Sequence, residues 1–417
     1  MLSYKYPRRW CGGVLFLICT AVVSGCVTHE VRVVDMTPPR QSDQVLDESA
    51  LLDVGVVVFD ANVPDDYDER INNIILPEVR RAEAQYMPYF LKNVLQSTGN
   101  WGAVRVVPQA SEVVDVLVNG KILHSDGESM RLQATVSDAS GAQWFDREYS
   151  ALASKYAYED GMPASIDAFQ AIYKQLADDM LVYREGLMDS DVARLRSIAE
   201  MRFAQGFSPE AFSEHVGRTD NGQFTLNRLP ANDDPMLQRV RQVREREYLF
   251  IDTLDEYYTN FYREMFPAYQ DWRRSGYEQA IAYKQLRAQS KARVIGGTLA
   301  IVGSVGAIYE SDNAYVDASG LTGVGAGAAL IASGIQKRHE AEQQADRLRE
   351  LGSAAEAALV PTTIELENQT ARLQGTVQEQ YKQLRKILKR IYFEDLNLPV
   401  PGEEETTALN DVPAPSD

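Results

Sequence analysis

The sequence predicts an α+β protein: a small N-terminal sheet with two helices, followed by a mainly α-helical C-terminal half with a Gly-rich helical hairpin and a long helix. Two observations predict the sheet. Residues 129–138 alternate, with Met130, Leu132, Ala134 and Val136 set against Arg131, Gln133, Thr135 and Ser137, as a half-buried strand requires. Residues 52–60 form a short β-branched apolar run with polar ends, the mark of a buried strand. A third observation predicts the helical half. Beyond residue 190 the apolar period changes from two to between three and four, and Asp234-Pro235 supplies an N-cap followed by a first-turn proline,.

The elements follow in order. Residues 27–50 hold Pro38, Pro39 and scattered polar residues without a period, and read as a tether,. After the first strand, Val79, Ala82, Tyr86, Tyr89, Phe90 and Val94 form one stripe of a helix over 77–97,. Strands are expected at 104–107, 113–124, 129–138 and 143–152, with Asp138-Ala139-Ser140-Gly141 as the turn before the last,. A second amphipathic helix carries Ile166, Phe169, Ile172, Tyr173, Leu176 and Met180. Residues 206–233, rich in Gly, Asn and Asp, are expected to be a connecting loop. From Pro235 a stripe of Val240, Val243, Phe250, Ile251, Leu254, Tyr257, Tyr258, Phe261 and Met265 marks a helix. A kink is expected at Pro267, with helix resuming through Gln289,. A long helix is expected over 335–358, broken at Val360-Pro361,. Val377, Tyr381, Leu384, Leu388 and Ile391 then space a coiled-coil-like seam of about two heptads,. The expected divisions are therefore 1–25, 26–50, 51–186, 187–398 and a disordered acidic tail at 399–417,.

Composition removes several function classes. The 417 residues carry 42 Lys and Arg against 60 Asp and Glu, a formal charge of −18. Such a surface repels a phosphate backbone, so nucleic acid is not an expected partner. All 3 cysteines (Cys11, Cys19 and Cys26) precede residue 27, so the body has no disulfide and no thiolate metal site. The four histidines, His29, His124, His215 and His339, offer no local ligand pair. His339-Glu340 opens like a zinc-protease box, but Gln343 stands where the second histidine is needed,. Gly323-x-Gly325-x-x-Ala328 lacks the preceding strand of a dinucleotide fingerprint,. No cofactor, no metal site and no catalytic residue is expected, and the reading is non-enzymatic. Arg239, Arg241, Arg244 and Arg246 are expected to pair with Glu245 and Glu247 along their own helix,. The tyrosines between 248 and 283, with Trp272, are expected to pack between helices,.

The first residues carry the sharpest signal. Lys5, Arg8 and Arg9 precede an apolar stretch over 10–23, too short for a comfortable membrane span and suited to a signal peptide,. It ends in Val23-Ser24-Gly25-Cys26. That tetrapeptide resembles the lipobox of bacterial lipoproteins. The resemblance implies cleavage before Cys26, a diacylglycerol thioether on its sulfur and an acyl chain on its new amino group. With Val27 rather than Asp after the cysteine, it further implies sorting to the outer membrane of a Gram-negative bacterium, facing the periplasm. The first partner expected is thus membrane lipid, held through Cys26; the second is a periplasmic or outer-membrane protein, or another copy of the chain. The order strand, helix, three or four strands, helix over 50–185 resembles a group of bacterial envelope domains. It includes the curli secretion lipoprotein, the N-terminal domain of the Tol-system propeller protein and lipoprotein activators of penicillin-binding proteins. That resemblance implies a domain that binds partners or oligomerises.

Residues 294–309 and 318–335 carry no charge. Acids (Glu310, Asp312, Asp317) sit between them and bases (Lys291, Arg293, Lys337, Arg338) outside them, the pattern of a hairpin over 294–335. Glycine costs about 1 kcal/mol relative to alanine in a helix, so Gly296, Gly297, Gly303, Gly306, Gly323, Gly327 and Gly334 need a reason. Gly323 and Gly327 are four apart, the spacing that lets helices approach closely in lipid; the pattern resembles the glycine-zipper segments of envelope lipoproteins. Two readings stand: a hairpin in contact with a membrane, or one buried in a soluble helical bundle. The function expected is a non-catalytic, lipid-anchored interaction or assembly factor. The alternatives are an oligomeric pore or secretion-channel subunit built on this hairpin, and an envelope hydrolase, for which no carboxylate pair stands out.

Overall fold

The computed structural model describes residues 37–42, 47–66, 69, 75, 77–159, 166–231, 233–307, 362–366 and 369–399. It is an α+β protein. The first strand, β1 (Val54–Val57), is followed by helix α1 (Pro77–Ser97) and strands β2 (Val104–Val107), β3 (Val116–Ser125), β4 (Ser129–Asp138) and β5 (Gln143–Leu152). These five form one mixed sheet in the order β2-β1-β3-β4-β5. β1 is parallel to both neighbours, with Val54 opposite Val104 and Val116. The β3–β4 and β4–β5 pairs are antiparallel, with Val118 opposite Val136 and Val136 opposite Phe145. All four residues of β1 are buried, which is why its sequence is a continuous apolar run rather than an alternating one.

Helices α2 (Gln170–Glu185) and α3 (Asp189–Phe207) and a single turn, α4 (Pro209–Phe212), come next. The expected loop over 206–233 is corrected here. It contains α4 and a ribbon of β6 (Val216–Arg218) and β7 (Phe224–Leu226). The Asn and Gly that read as loop are its turn, with Gly222 at φ +78, a conformation glycine adopts without a Cβ penalty. Then comes the long helix α5 (Pro235–Ala307). At Pro267, where a kink was expected, the helix continues without a break. Met265, Ala268 and Tyr269 are buried around it, and this packing offsets a proline cost of about 3 kcal/mol. A hairpin of β8 (Thr362–Leu366) and β9 (Gln369–Leu373), not anticipated from the sequence, leads to α6 (Val377–Asp395). α6 opens on a capping box in which Thr376 and Glu379 satisfy each other's backbone amides,. The helix expected over 335–358, the tail from 400 on and the segment before residue 37 lie outside the described residues.

Two cores hold the body together. In the first, Val116, Val118, Ile122, Met130, Leu132, Ala134 and Val136 of the sheet meet α1, α2 and Phe261, Met265 and Tyr269 of α5. In the second, Val57, Val106, Val107, Val113 and Val114 meet α3, the first part of α5 and the α6 seam. The seam residues Tyr381, Leu384 and Leu388 are thus buried within this chain. The segment read as a tether is partly seated. The Arg40 amide donates to Asp178 at 2.7 Å, the Ser42 amide donates to Asn100 at 2.8 Å, and Arg184 donates to the Ala50 carbonyl at 2.7 Å.

Candidate functional site

α5 touches most of the body, and two buried polar nodes fix it. At the first, Arg273 donates to Asp167 at 2.6 Å, and neither side chain has any exposure. Asp167 also accepts from the Phe169 amide at 2.8 Å. The guanidinium lies over the Tyr269 ring at 3.9 Å. Tyr269 in turn donates to Glu83 of α1, which also accepts from Ser125 at the end of β3, each at 2.5 Å. Gly127, in the β3–β4 turn, has α5 directly above it: a Cβ there would overlap the Arg273 carbonyl oxygen and the Tyr277 amide nitrogen. At the second node Glu247 accepts from Tyr381 and, at 3.4 Å, from Ser111, with Arg385 at 3.6 Å. Burial pushes the Glu247 carboxyl up, against the lowering effect of Arg385. Lys92 and Asp255 (2.8 Å) and Arg105 and Asp252 (2.6 Å) add ion pairs between α5 and the sheet side.

Arg239, Arg241 and Arg244 find partners on other elements, which corrects the pairing with Glu245 and Glu247 expected for these three. Arg241 pairs with Glu200 of α3 at 2.7 Å, Arg239 with Asp395 of α6, and Arg244 donates to the Val113 carbonyl at 2.6 Å. Tyr258 and Tyr269 are buried and Tyr262 stacks on Tyr86 at 4.7 Å between ring centres, the interhelix packing expected, while the Tyr283 side chain lies outside the described residues.

Two clefts open beside this helix–sheet unit. One, of about 410 Å³, lies on the open sheet face past the end of β1, lined by Phe59, Asp60, Asn119, Lys121, Gln133 and Thr135. The other, of about 310 Å³, lies where β1 and β3 begin, lined by Asp53, Asp115, Arg196, Ser197, Glu200, Arg244 and Tyr248. Asp115 is 3% exposed, and one of its oxygens accepts from the Asp53 amide at 2.9 Å. Burial pushes its carboxyl up to about 6, in spite of the Asp53 amide and the charges of Arg244 and Arg196. The folded chain therefore holds this proton at a pH where an unfolded aspartate, near 3.9, has lost it. The folded state binds more protons, so stability falls as pH rises from about 4 to about 6 and is level above. Asp115→Asn is expected to remove this decline and to stabilise the protein at pH 7.5 by on the order of 2 kcal/mol, read by urea unfolding at pH 7.5 and at a pH of about 4.

Of the glycines singled out in the sequence, Gly296, Gly297, Gly303 and Gly306 lie on the last turns of α5. Gly323, Gly327, Gly334 and Cys26 lie outside the described residues. Among the described residues no helix is long and apolar enough to cross a membrane. Sequence reasoning missed Asp53 and Asp115, yet a signal was there: each ends an apolar pair and precedes a valine, in Leu51-Leu52-Asp53-Val54 and Val113-Val114-Asp115-Val116. The repeat marks two parallel strands entering the sheet from the same end.

No protein-family model matches the chain, and no curated protein matches it. A solved structure of the hypothetical protein CT253 from Chlamydia trachomatis aligns at 11% identity with a TM-score of 0.21, over 33% of this chain and 99% of that one.

Proposed function

We propose that this chain is a non-catalytic envelope lipoprotein acting as an interaction or assembly factor. In this reading it is anchored through lipid on Cys26, with its body in the periplasm against the outer membrane. The observation that carries the reading is the continuity of α5. The part of the helix from Pro235 to Tyr277 is built into both cores, and the same helix runs on to Ala307, into the uncharged Gly-containing stretch. At 1.5 Å per residue the stretch from Tyr277 to Ala307 adds about 45 Å of rise. That stretch continues the helix into residues whose small side chains, by sequence, would admit a close partner helix or lipid,.

The anchor would act on the same scale. Arg40 is bonded to the body, and the chain from it back to Cys26 can span at most about 50 Å. Acyl chains on Cys26 would confine the body to a thin layer beside the membrane, raising the effective concentration of whatever α5 presents. In membrane fractions from a Gram-negative host, Cys26→Ser is expected to release the protein into the soluble periplasm. A chain lacking residues 294–335 is expected to remain membrane-bound through Cys26 and to lose crosslinked partners. Retention of Cys26→Ser in the membrane would show that the lipid is not the anchor; unchanged crosslinks without 294–335 would show that this segment is not the docking element.

A further inference from the structure

The cleft at the start of β1 and β3 places Arg196 and Arg244 beside the carboxyls of Asp53, Asp115 and Glu200. Asp53 accepts from the Ala103 amide at 2.8 Å, and its second oxygen lies 3.3 Å from the Tyr248 hydroxyl, which donates to the nearer Val113 carbonyl. Glu200 is gripped by Arg241 through both of its oxygens, at 2.7 and 3.2 Å. The two arginines on the wall are held differently. Arg196 donates to the main-chain carbonyls of Glu48 and Ser49, at 3.3 and 2.9 Å. Arg244 donates to the Val113 carbonyl through two nitrogens, at 3.2 and 2.6 Å. Among the described residues neither guanidinium has a carboxylate within ion-pair distance, and both line the same 310 Å³ space. A guanidinium carries five N–H donors, so donors remain on both after these bonds. Carbonyl contacts fix their positions without cancelling their charge, which is how a preorganised anion site is made.

We propose that this cleft binds a small ligand through an oxyanion group, a carboxylate or a phosphate, held between Arg196 and Arg244. Asp115 forms the buried wall beside them and sets the pH dependence. Ionised, it opposes the ligand. Protonated, it donates its proton to a ligand oxygen. Binding therefore strengthens as pH falls through about 6,. The other charged and titratable groups facing it are Asp53 from the start of β1, Arg196 and Glu200 from α3, and Arg244 and Tyr248 from α5. A volume of 310 Å³ exceeds a bare phosphate and fits a small organic molecule that carries one,.

Calorimetric titration of the full-length protein with sulfate tests this, because sulfate stays a dianion throughout the range. Malonate at pH 7.5 serves as the planar carboxylate probe. Saturable binding of either is expected, sulfate binding several-fold tighter at pH 5.5 than at pH 7.5. Arg196→Gln and Arg244→Gln are each expected to weaken binding about tenfold. Arg196 is exposed at the cleft rim, so its variant keeps the fold even if Arg244→Gln releases Val113. Asp115→Asn is expected to bind sulfate equally at both pH values. Absence of saturable binding by both probes up to about 10 mM, wild-type affinity in Arg196→Gln, or a surviving pH dependence in Asp115→Asn would overturn the proposal.

Discussion

Asp167→Ala is expected to cost about 3–5 kcal/mol, the range for stranding one member of a buried ion pair. Arg273 is fully buried and Asp167 is its ion-pair partner at 2.6 Å; without it a guanidinium charge remains inside the first core, between Tyr269 and Phe169. For a domain whose whole stability is about 5–15 kcal/mol, that is a large fraction. Urea unfolding should show the midpoint falling with the slope unchanged. The double variant Asp167→Leu with Arg273→Met removes both charges and leaves none stranded, so it is expected to be more stable than either single change. Equal or greater loss in the double variant would mean that the pair itself stabilises the fold, and not merely that each member requires the other.

Gly127→Val is expected to have an effect of similar size by a different route. The atoms a side chain would strike are main chain, the Arg273 carbonyl and the Tyr277 amide of α5, and neither can rotate away. Ordinary overpacking costs about 1–3 kcal/mol because neighbouring side chains yield; here the helix as a whole must lift, so the loss should reach or exceed the top of that range. Lifting would also part the Tyr277 ring from that of Tyr158, 5.7 Å away between centres in the native fold. The expected signature is increased hydrogen exchange in α5 around Arg273 while β3 and β4 stay protected. Native protection of α5 in the variant would contradict the close approach.

The parts of this fold that were legible in the sequence are those fixed by local periodicity. The alternation in β4, the apolar run of β1 and the α6 seam each have one burial pattern that satisfies them, and each is buried accordingly. The ribbons β6–β7 and β8–β9 were not legible: segments such as Val-Gly-Arg and Gln-Thr-Ala-Arg-Leu carry neither the valine-rich run of β1 and β2 nor a clean alternation. The buried nodes were illegible for another reason. Asp167 and Arg273 are 106 residues apart, and Glu247 and Tyr381 are 134 apart, so neither pair leaves a trace in local spacing. Arg239, Arg241 and Arg244 misled for the same cause: glutamates were near in sequence, but the fold brought partners from α6, α3 and the loop before β3. For the cleft of Arg196 and Arg244, the sequence held only the twice-repeated apolar-apolar-Asp-Val entry, whose meaning requires knowing that β1 and β3 lie side by side in parallel.

Intact-mass analysis of the protein purified from membranes tests the anchoring claim most directly. A chain beginning at Cys26 and heavier than its sequence by one diacylglycerol and one acyl chain is expected. An unmodified Cys26, or an N-terminus upstream of it, would show that the protein is not anchored in this way.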